Sequence, residues 1–129
     1  MTRPPAEEIG EAAAMWIGRT LRSGTRIEFP GNIVVMGDVN PGAEVIADGS
    51  ILVWGRVRGV AHAGANGDQS AAVCGLDLST GQIRIAGAAA IPPALSKVEV
   101  SERSGEVRPE KISLKDGVLQ MEPWQANQS

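Results

Sequence analysis

Two stretches of the chain, Asn32-Ile-Val-Val-Met-Gly-Asp-Val39 and Ser50-Ile-Leu-Val-Trp-Gly-Arg-Val57, align residue for residue at an offset of 18. The same offset pairs Ala43 with Ala61, Ala47 with Ala65, Asp48 with Asn66 and Gly49 with Gly67. A fixed period of this size marks a solenoid, in which each repeat buries its apolar face only by stacking on the next. Each unit holds short β-rich runs separated by Gly, Asn, Asp or Pro. The expected unit is therefore a coil with three sides of about six residues each, one turn of a parallel β-helix. Asp48-Gly49 and Asn66-Gly67, taken singly, would signal hairpins. Their recurrence in register favours stacked corners instead. The later runs "AAVCGL" and "QIRIAG" continue the strand-and-glycine pattern with altered spacing.

These strands are apolar on both alternations. In a β-helix one parity points into a narrow core and the other points out. Ile33, Val35, Ile51 and Val53 are expected inside, because branched side chains of similar size stack well there. Val34, Met36, Leu52 and Trp54 are then outside, on two stacked rungs. A contiguous apolar patch of this kind marks an interface, and a self-complementary one most simply makes a two-fold homodimer. The opposite parity would exchange the two sets. A terminal helix folded back over the patch is the other way to cover it.

At 129 residues and 13.4 kDa the chain has the length of one domain. Aromatic residues make up only 3%, so the core must come from Val, Ile, Leu and Ala. A net charge of −3 argues against a duplex nucleic-acid binder, which needs a basic face. The single Cys74 cannot form an internal disulfide, and no secretory signal or membrane-spanning run is read, so a cytoplasmic protein is expected. The segment "PPAEEIGEAAAMWIGRTL" places Ile9, Ala13, Trp16 and Ile17 at helical spacing behind a Pro-Pro start. Residues 1–20 are thus expected to be a linker or short capping helix, residues 21–124 the β-helix domain, and residues 125–129 a tail.

Catalytic material is sparse. His62 is the only histidine, and the offset of 18 sets Glu44 beside it, a pairing that could raise the pKa of a base. Stacked polar pairs also occur on outer faces without any chemistry. Cys74, in an apolar run, is expected as a small core residue. No zinc-ligand set is present, and "AGANGDQS" has no lysine to meet a phosphate, so no metal or cofactor is expected. Hexapeptide-repeat acyltransferases share the 18-residue coil, but over many strict repeats, and the chain is not expected to be an enzyme. More informative is "LRSGTRI", Leu21 to Ile27, where Arg22 and Ser23 precede Gly24 on a turn before the first clean rung. A guanidinium fork and a hydroxyl there suit recognition of a partner's carboxylates and carbonyls. The tripeptide alone also fits an ordinary solvated turn.

Taken together, "RSG", "GDVNPGAEVIADGSILVWG", "RGVAHAGANGD", "IRIAG" and "RPEKISLKDGVLQMEPW" resemble the C-terminal domain of the MinC septum site-determining family, over roughly Leu21 to Trp124. The resemblance implies a right-handed parallel β-helix that dimerises through one apolar face. It also implies a cell-division inhibitor that binds the ATP form of the membrane-associated ATPase MinD and opposes assembly of FtsZ away from midcell. The membrane would then be reached only through MinD. The family's MinD-recognition motif, Arg-Ser-Gly-Gln, falls on Arg22, Ser23 and Gly24, with Thr25 in place of the glutamine. Glu44 and Asp48 are the next candidates for that surface. A basic residue that helps contact FtsZ in some members is replaced by Val60, leaving Arg58 as the candidate. Family members usually carry a separate N-terminal domain, so this chain is expected to be the targeting and dimerising half. The stretch 88–108 drifts from the family pattern and is read as a loop and an edge strand without assigned function. A bactofilin-like polymer, also a β-helix, is the alternative.

Overall fold

The computed structural model describes residues 13–78, 80–90, 96–97 and 109–124. These are all β. The strands are β1 (Ala14–Ile17), β2 (Arg26–Phe29), β3 (Asn32–Val35), β4 (Glu44–Ala47), β5 (Ile51–Arg56), β6 (Val60–Ala63), β7 (Ala72–Asp77) and β8 (Gln82–Ile85), followed by β9 (Ala88–Ala90), β10 (Ser96–Lys97), β11 (Glu110–Lys115) and β12 (Val118–Pro123). Odd and even strands stack separately. The first sheet runs β1-β3-β5-β7-β11-β12-β10 and the second β2-β4-β6-β8-β9. Pairing from β1 through β7 and from β2 through β8 is parallel, so the chain coils as a β-solenoid. The third side is minimal: Leu21, Val39 and Val57 form single parallel bridges 18 residues apart. Their N–H groups donate to the carbonyls of Asp38, Arg56 and Asp77, and by that ladder the buried Leu78 is a fourth step.

The expected parity is the observed one. Ile33, Val35, Ile51 and Val53 are buried, and Val73 continues their column. Opposite them the second sheet contributes Val45, Ala47, Ala61, Ala63, Ile83 and Ile85. The branched residues of the first sheet meet a mixture of alanines and branched residues on the second, which suits a slim interior. No polar or charged side chain is buried among the described residues. Polar groups instead serve the corners. Asn32 Oδ1 accepts the Ser50 N–H at 2.8 Å, and Ser50 Oγ accepts the Ala72 N–H at 3.0 Å. Asp38 Oδ1 likewise accepts the Arg56 N–H at 2.9 Å, so each corner side chain holds the backbone one coil on.

The period is not uniform. The first sheet advances by 18 from Met15 to Ile33 and from Ile33 to Ile51, then by 22 to Val73. The second advances by 18 from Ile27 to Val45, by 16 from Val45 to Ala61 and by 22 from Ala61 to Ile83. The step of 16 arises because only Arg58 and Gly59 connect Val57 to β6, where the preceding coil has Asn40-Pro41-Gly42-Ala43. Gly59 makes the short connection feasible, since a Cβ there would strike the carbonyl oxygens of Ala43 and Asn40. The expected pairing of His62 with Glu44 is therefore incorrect. Glu44 lies beside Val60, and His62 lies between Ile46 and Arg84.

The expected N-terminal helix is also incorrect where it can be compared. Ala14–Ile17 is a strand in register with Asn32–Val35. Met15 and Ile17 turn inward while Ala14 and Trp16 turn outward, so pairing with the open edge of β3 prevails over a helical spacing carried by few residues. Ile9 and the rest of that segment's start lie outside the described residues, as does most of 88–108. At the other end the coil closes by reversal: β9 runs antiparallel to β8, and β11 runs antiparallel to β7 and β12. No described helix is long and apolar enough to cross a membrane.

Candidate functional site

Two surfaces stand out. The first is the corner that carries Arg22, Ser23, Gly24 and Thr25. Buried Leu21 anchors it, after which the Arg22 carbonyl accepts the Thr25 N–H at 3.0 Å and Gly24 takes φ of 89°. This is the form of a type II turn, whose third residue needs positive φ and so favours glycine. One coil on, Asn40-Pro41-Gly42-Ala43 repeats the turn, with an Asn40 O to Ala43 N–H bond of 3.0 Å and φ of 87° at Gly42. The turns are joined by backbone bonds from Asn40 N–H to Leu21 O, from Gly24 N–H to Gly42 O and from Glu44 N–H to Thr25 O, at 2.9–3.0 Å. Arg22, Ser23 and Gly24 are exposed, and Arg22 makes no ion pair among the described residues. A donor fork on a rigid turn is free to meet an acceptor.

Glu44 lies at the same corner. It is in register with Arg26, whose Nη2 is 2.6 Å from Glu28 Oε1 and whose Nε is 3.9 Å from Glu44 Oε2. Arg26 was not among the expected residues, although 26 and 44 are one period apart and of opposite charge. Asp48 follows the far end of β4, with its N–H on the Phe29 carbonyl at 3.1 Å. Four residues of strand, about 13 Å, separate it from Glu44. Arg58 is exposed on the shortened connection, two coils from Arg22 along the third side.

The second surface is the outer face of the first sheet. Trp16, Val34, Leu52 and Cys74 form one row in register, flanked by Met36 and Trp54. Trp16 is 66% exposed, Trp54 52%, Leu52 40% and Met36 38%. An apolar groove of about 320 Å³ runs along this face, lined by Val34, Leu52, Trp54, Cys74, Leu76 and Trp124 among others. Trp16, Leu76 and Trp124 extend the patch beyond the four residues expected. Trp16 stands at helical spacing in the sequence, and Trp124 is brought in by the C-terminal strands. Cys74 is half-buried in the outward row rather than in the core. Burial pushes its thiol up, against the opposing pull of Lys111, so it is held protonated and not primed as a nucleophile.

Among the described residues His62 has no carboxylate or other acid–base partner. Its Nε2 lies 2.9 Å from the Ala86 carbonyl, which it reaches as an N–H donor, tying down the turn where Ala86 takes φ of 51° between β8 and β9.

Comparison with known proteins places the chain in a family. The profile described as septum formation inhibitor MinC, C-terminal domain, matches residues 15–124. The chain belongs to the MinC family. Among its MinC relatives, a probable septum site-determining protein from Gloeobacter violaceus is 50% identical over 103 residues, covering 77% of this chain and 37% of that protein. The MinC of Heliobacterium modesticaldum is 44% identical over 115 residues, covering 89% of this chain and 38% of that protein. The chain thus spans less than half the length of these relatives. A solved MinC:MinD cell division complex from Aquifex aeolicus contains a chain of the same fold, with a TM-score of 0.73, 35% identity and 89% coverage of both chains. The MinC profile begins at Met15, so it takes in β1.

Proposed function

We propose that this chain is the targeting and dimerising part of a division-site selector. The Arg22-Ser23-Gly24-Thr25 corner binds the ATP form of MinD, with Glu44 on the same corner and Asp48 further along β4 as additional contacts. A second copy of the chain covers the outer face of the first sheet through Val34, Met36, Leu52 and Trp54. The assembly opposes FtsZ polymerisation at wrong sites, with Arg58 as the contact nearest to FtsZ, and it acts without catalysis. It works in the cytoplasm and reaches the membrane only when MinD carries it there.

The observation that supports this reading best is an exposed arginine that makes no ion pair among the described residues, held on a hydrogen-bonded turn, in a chain that shares its fold with a chain of a MinC:MinD complex. The proposed dimer rests on large exposed apolar side chains aligned on one sheet face, which monomers rarely present. A filament built by end-to-end stacking is disfavoured, because the reversed β9, β11 and β12 close one end of the coil. The test is co-sedimentation with anionic lipid vesicles in the presence of MinD and either ATP or ADP. Pelleting only with MinD and ATP is expected. Pelleting without MinD, or equally with both nucleotides, would refute the proposed route to the membrane.

A further inference from the structure

Among the described residues, the corner at Arg22–Thr25 is supported from one side. Residues 22–25 belong to the first coil, and β2, which follows them, is the end strand of its sheet. What they rest on is the turn Asn40-Pro41-Gly42-Ala43, and the closest approach between the two is at Gly42. A Cβ on Gly42 would collide with Ser23 Oγ and would lie 3.1 Å from Ser23 Cβ and 3.3 Å from Ser23 Cα. Gly24 also has positive φ, yet a Cβ there would meet nothing within 4 Å. The two glycines therefore have different duties. Gly24 needs only its backbone conformation, whereas Gly42 needs both that conformation and the empty space in which Ser23 lies.

The lower turn has its own support. The Gly59 Cα lies against the carbonyls of Asn40 and Ala43, because the connection after Val57 lacks a turn of this kind. The short connection supports the turn 40–43, and the turn 40–43 supports Arg22–Thr25.

We infer that Gly42 is a positioning residue for the recognition corner: it sets the height of the Ser23-Gly24 peptide, and hence the direction of Arg22, without itself touching the partner. This deepens the assignment of Arg22 to MinD binding and rests on it. Any side chain at position 42 lifts Ser23, stretches the Gly24 N–H to Gly42 O bond of 2.9 Å and swings the guanidinium.

The experiment compares wild type, Gly42→Ala, Ser23→Gly and the double variant by three readouts: hydrogen exchange of the Gly24 amide, affinity for ATP-bound MinD, and thermal unfolding together with oligomer mass. Gly42→Ala is expected to speed Gly24 exchange at least tenfold relative to the core amides of Val35 and Val53. It should weaken MinD binding at least tenfold and leave the oligomer mass unchanged. In the Ser23→Gly background the same substitution should weaken binding less, because the collision is gone. Pro41→Gly loosens the lower turn without adding an atom there, and should shift the first two readouts the same way even if Gly42→Ala folds poorly. Unchanged Gly24 exchange or unchanged affinity in Gly42→Ala would overturn the inference. So would a loss of affinity that merely tracks faster exchange of all core amides together. If wild type itself fails to bind MinD, the binding assignment falls, while the Gly24 amide still reports whether Gly42 holds the turn.

Discussion

Replacing Trp54 with glutamate places a charge on the outer apolar face while leaving the core untouched. Trp54 is 52% exposed in the single chain, and a tryptophan buries about 150–250 Å² when fully enclosed, so about 100 Å² of it is available to an interface. At about 25 cal/mol per Å² this is about 2.5 kcal/mol per copy, and two-fold symmetry doubles it to about 5 kcal/mol. The dimer dissociation constant should rise by at least about three orders of magnitude, at 1.4 kcal/mol per tenfold, before the added cost of desolvating two carboxylates. Sedimentation equilibrium over the micromolar range reads this directly. The β-rich far-ultraviolet spectrum should persist in the monomer, because the substituted side chain already faces outward. Gln82→Glu, an exposed site on the second sheet, serves as the control and should remain dimeric. A Trp54→Glu protein that dimerises with the wild-type constant would refute the assignment of this face.

Gly59→Ala should destabilise the fold by about 2–3 kcal/mol, the upper part of the usual overpacking range, because the atoms it would strike are the backbone carbonyls of Asn40 and Ala43. In a domain of this size that lowers the melting temperature by about 10 °C in a thermal scan, and an unchanged melting temperature would contradict the 16-residue step between β4 and β6. Cys74 should react with iodoacetamide at pH 8 more slowly than a free thiol. Burial raises its pKa, so less of it is thiolate at that pH, and the rate should climb as pH rises toward the shifted value. Reaction should be faster in the Trp54→Glu monomer than in wild type, since the thiol lies on the face a second copy would cover.

The solenoid and its inside-outside parity were legible because two aligned segments, Asn32–Val39 and Ser50–Val57, repeat both their branched residues and their glycines. Where the reading slipped, the signal was ambiguous at the level of single residues. Alanines recur often enough in this chain that Ala43 with Ala61 and Ala47 with Ala65 matched at 18, while the backbone pairs β4 with β6 at 16. The clue lay in the connections: four residues separate Val39 from Glu44, two separate Val57 from Val60, and a two-residue deficit must shift the next strand. The first strand was hidden because Trp16 and Ile17 satisfy a helical spacing with Ile9 and Ala13 as well as an alternation with Ala14 and Met15. Only the partner strand β3 decides between them. The turn at Arg22–Thr25 was visible in Gly24, and its support was in principle visible too, since Gly42 stands one period beyond it. The groove beside Trp54 was not, because Trp124 reaches it through antiparallel strands far along the chain that no repeat announces.

Arg22 carries the proposed MinD contact, a guanidinium that makes no ion pair among the described residues, on a turn joined by backbone bonds to the coil beneath it. The most direct test is a titration of ATP-bound MinD with wild type and with Arg22→Ala, each first shown to have the same melting temperature and oligomer mass. An exposed arginine that makes no ion pair among the described residues contributes little to folding, so those controls should match. Loss of a charge-assisted contact at the centre of an interface should weaken binding by at least about 2 kcal/mol, or about thirtyfold. Wild-type affinity in Arg22→Ala would show that MinD is recognised elsewhere on the coil, and the corner would then be an ordinary solvated turn.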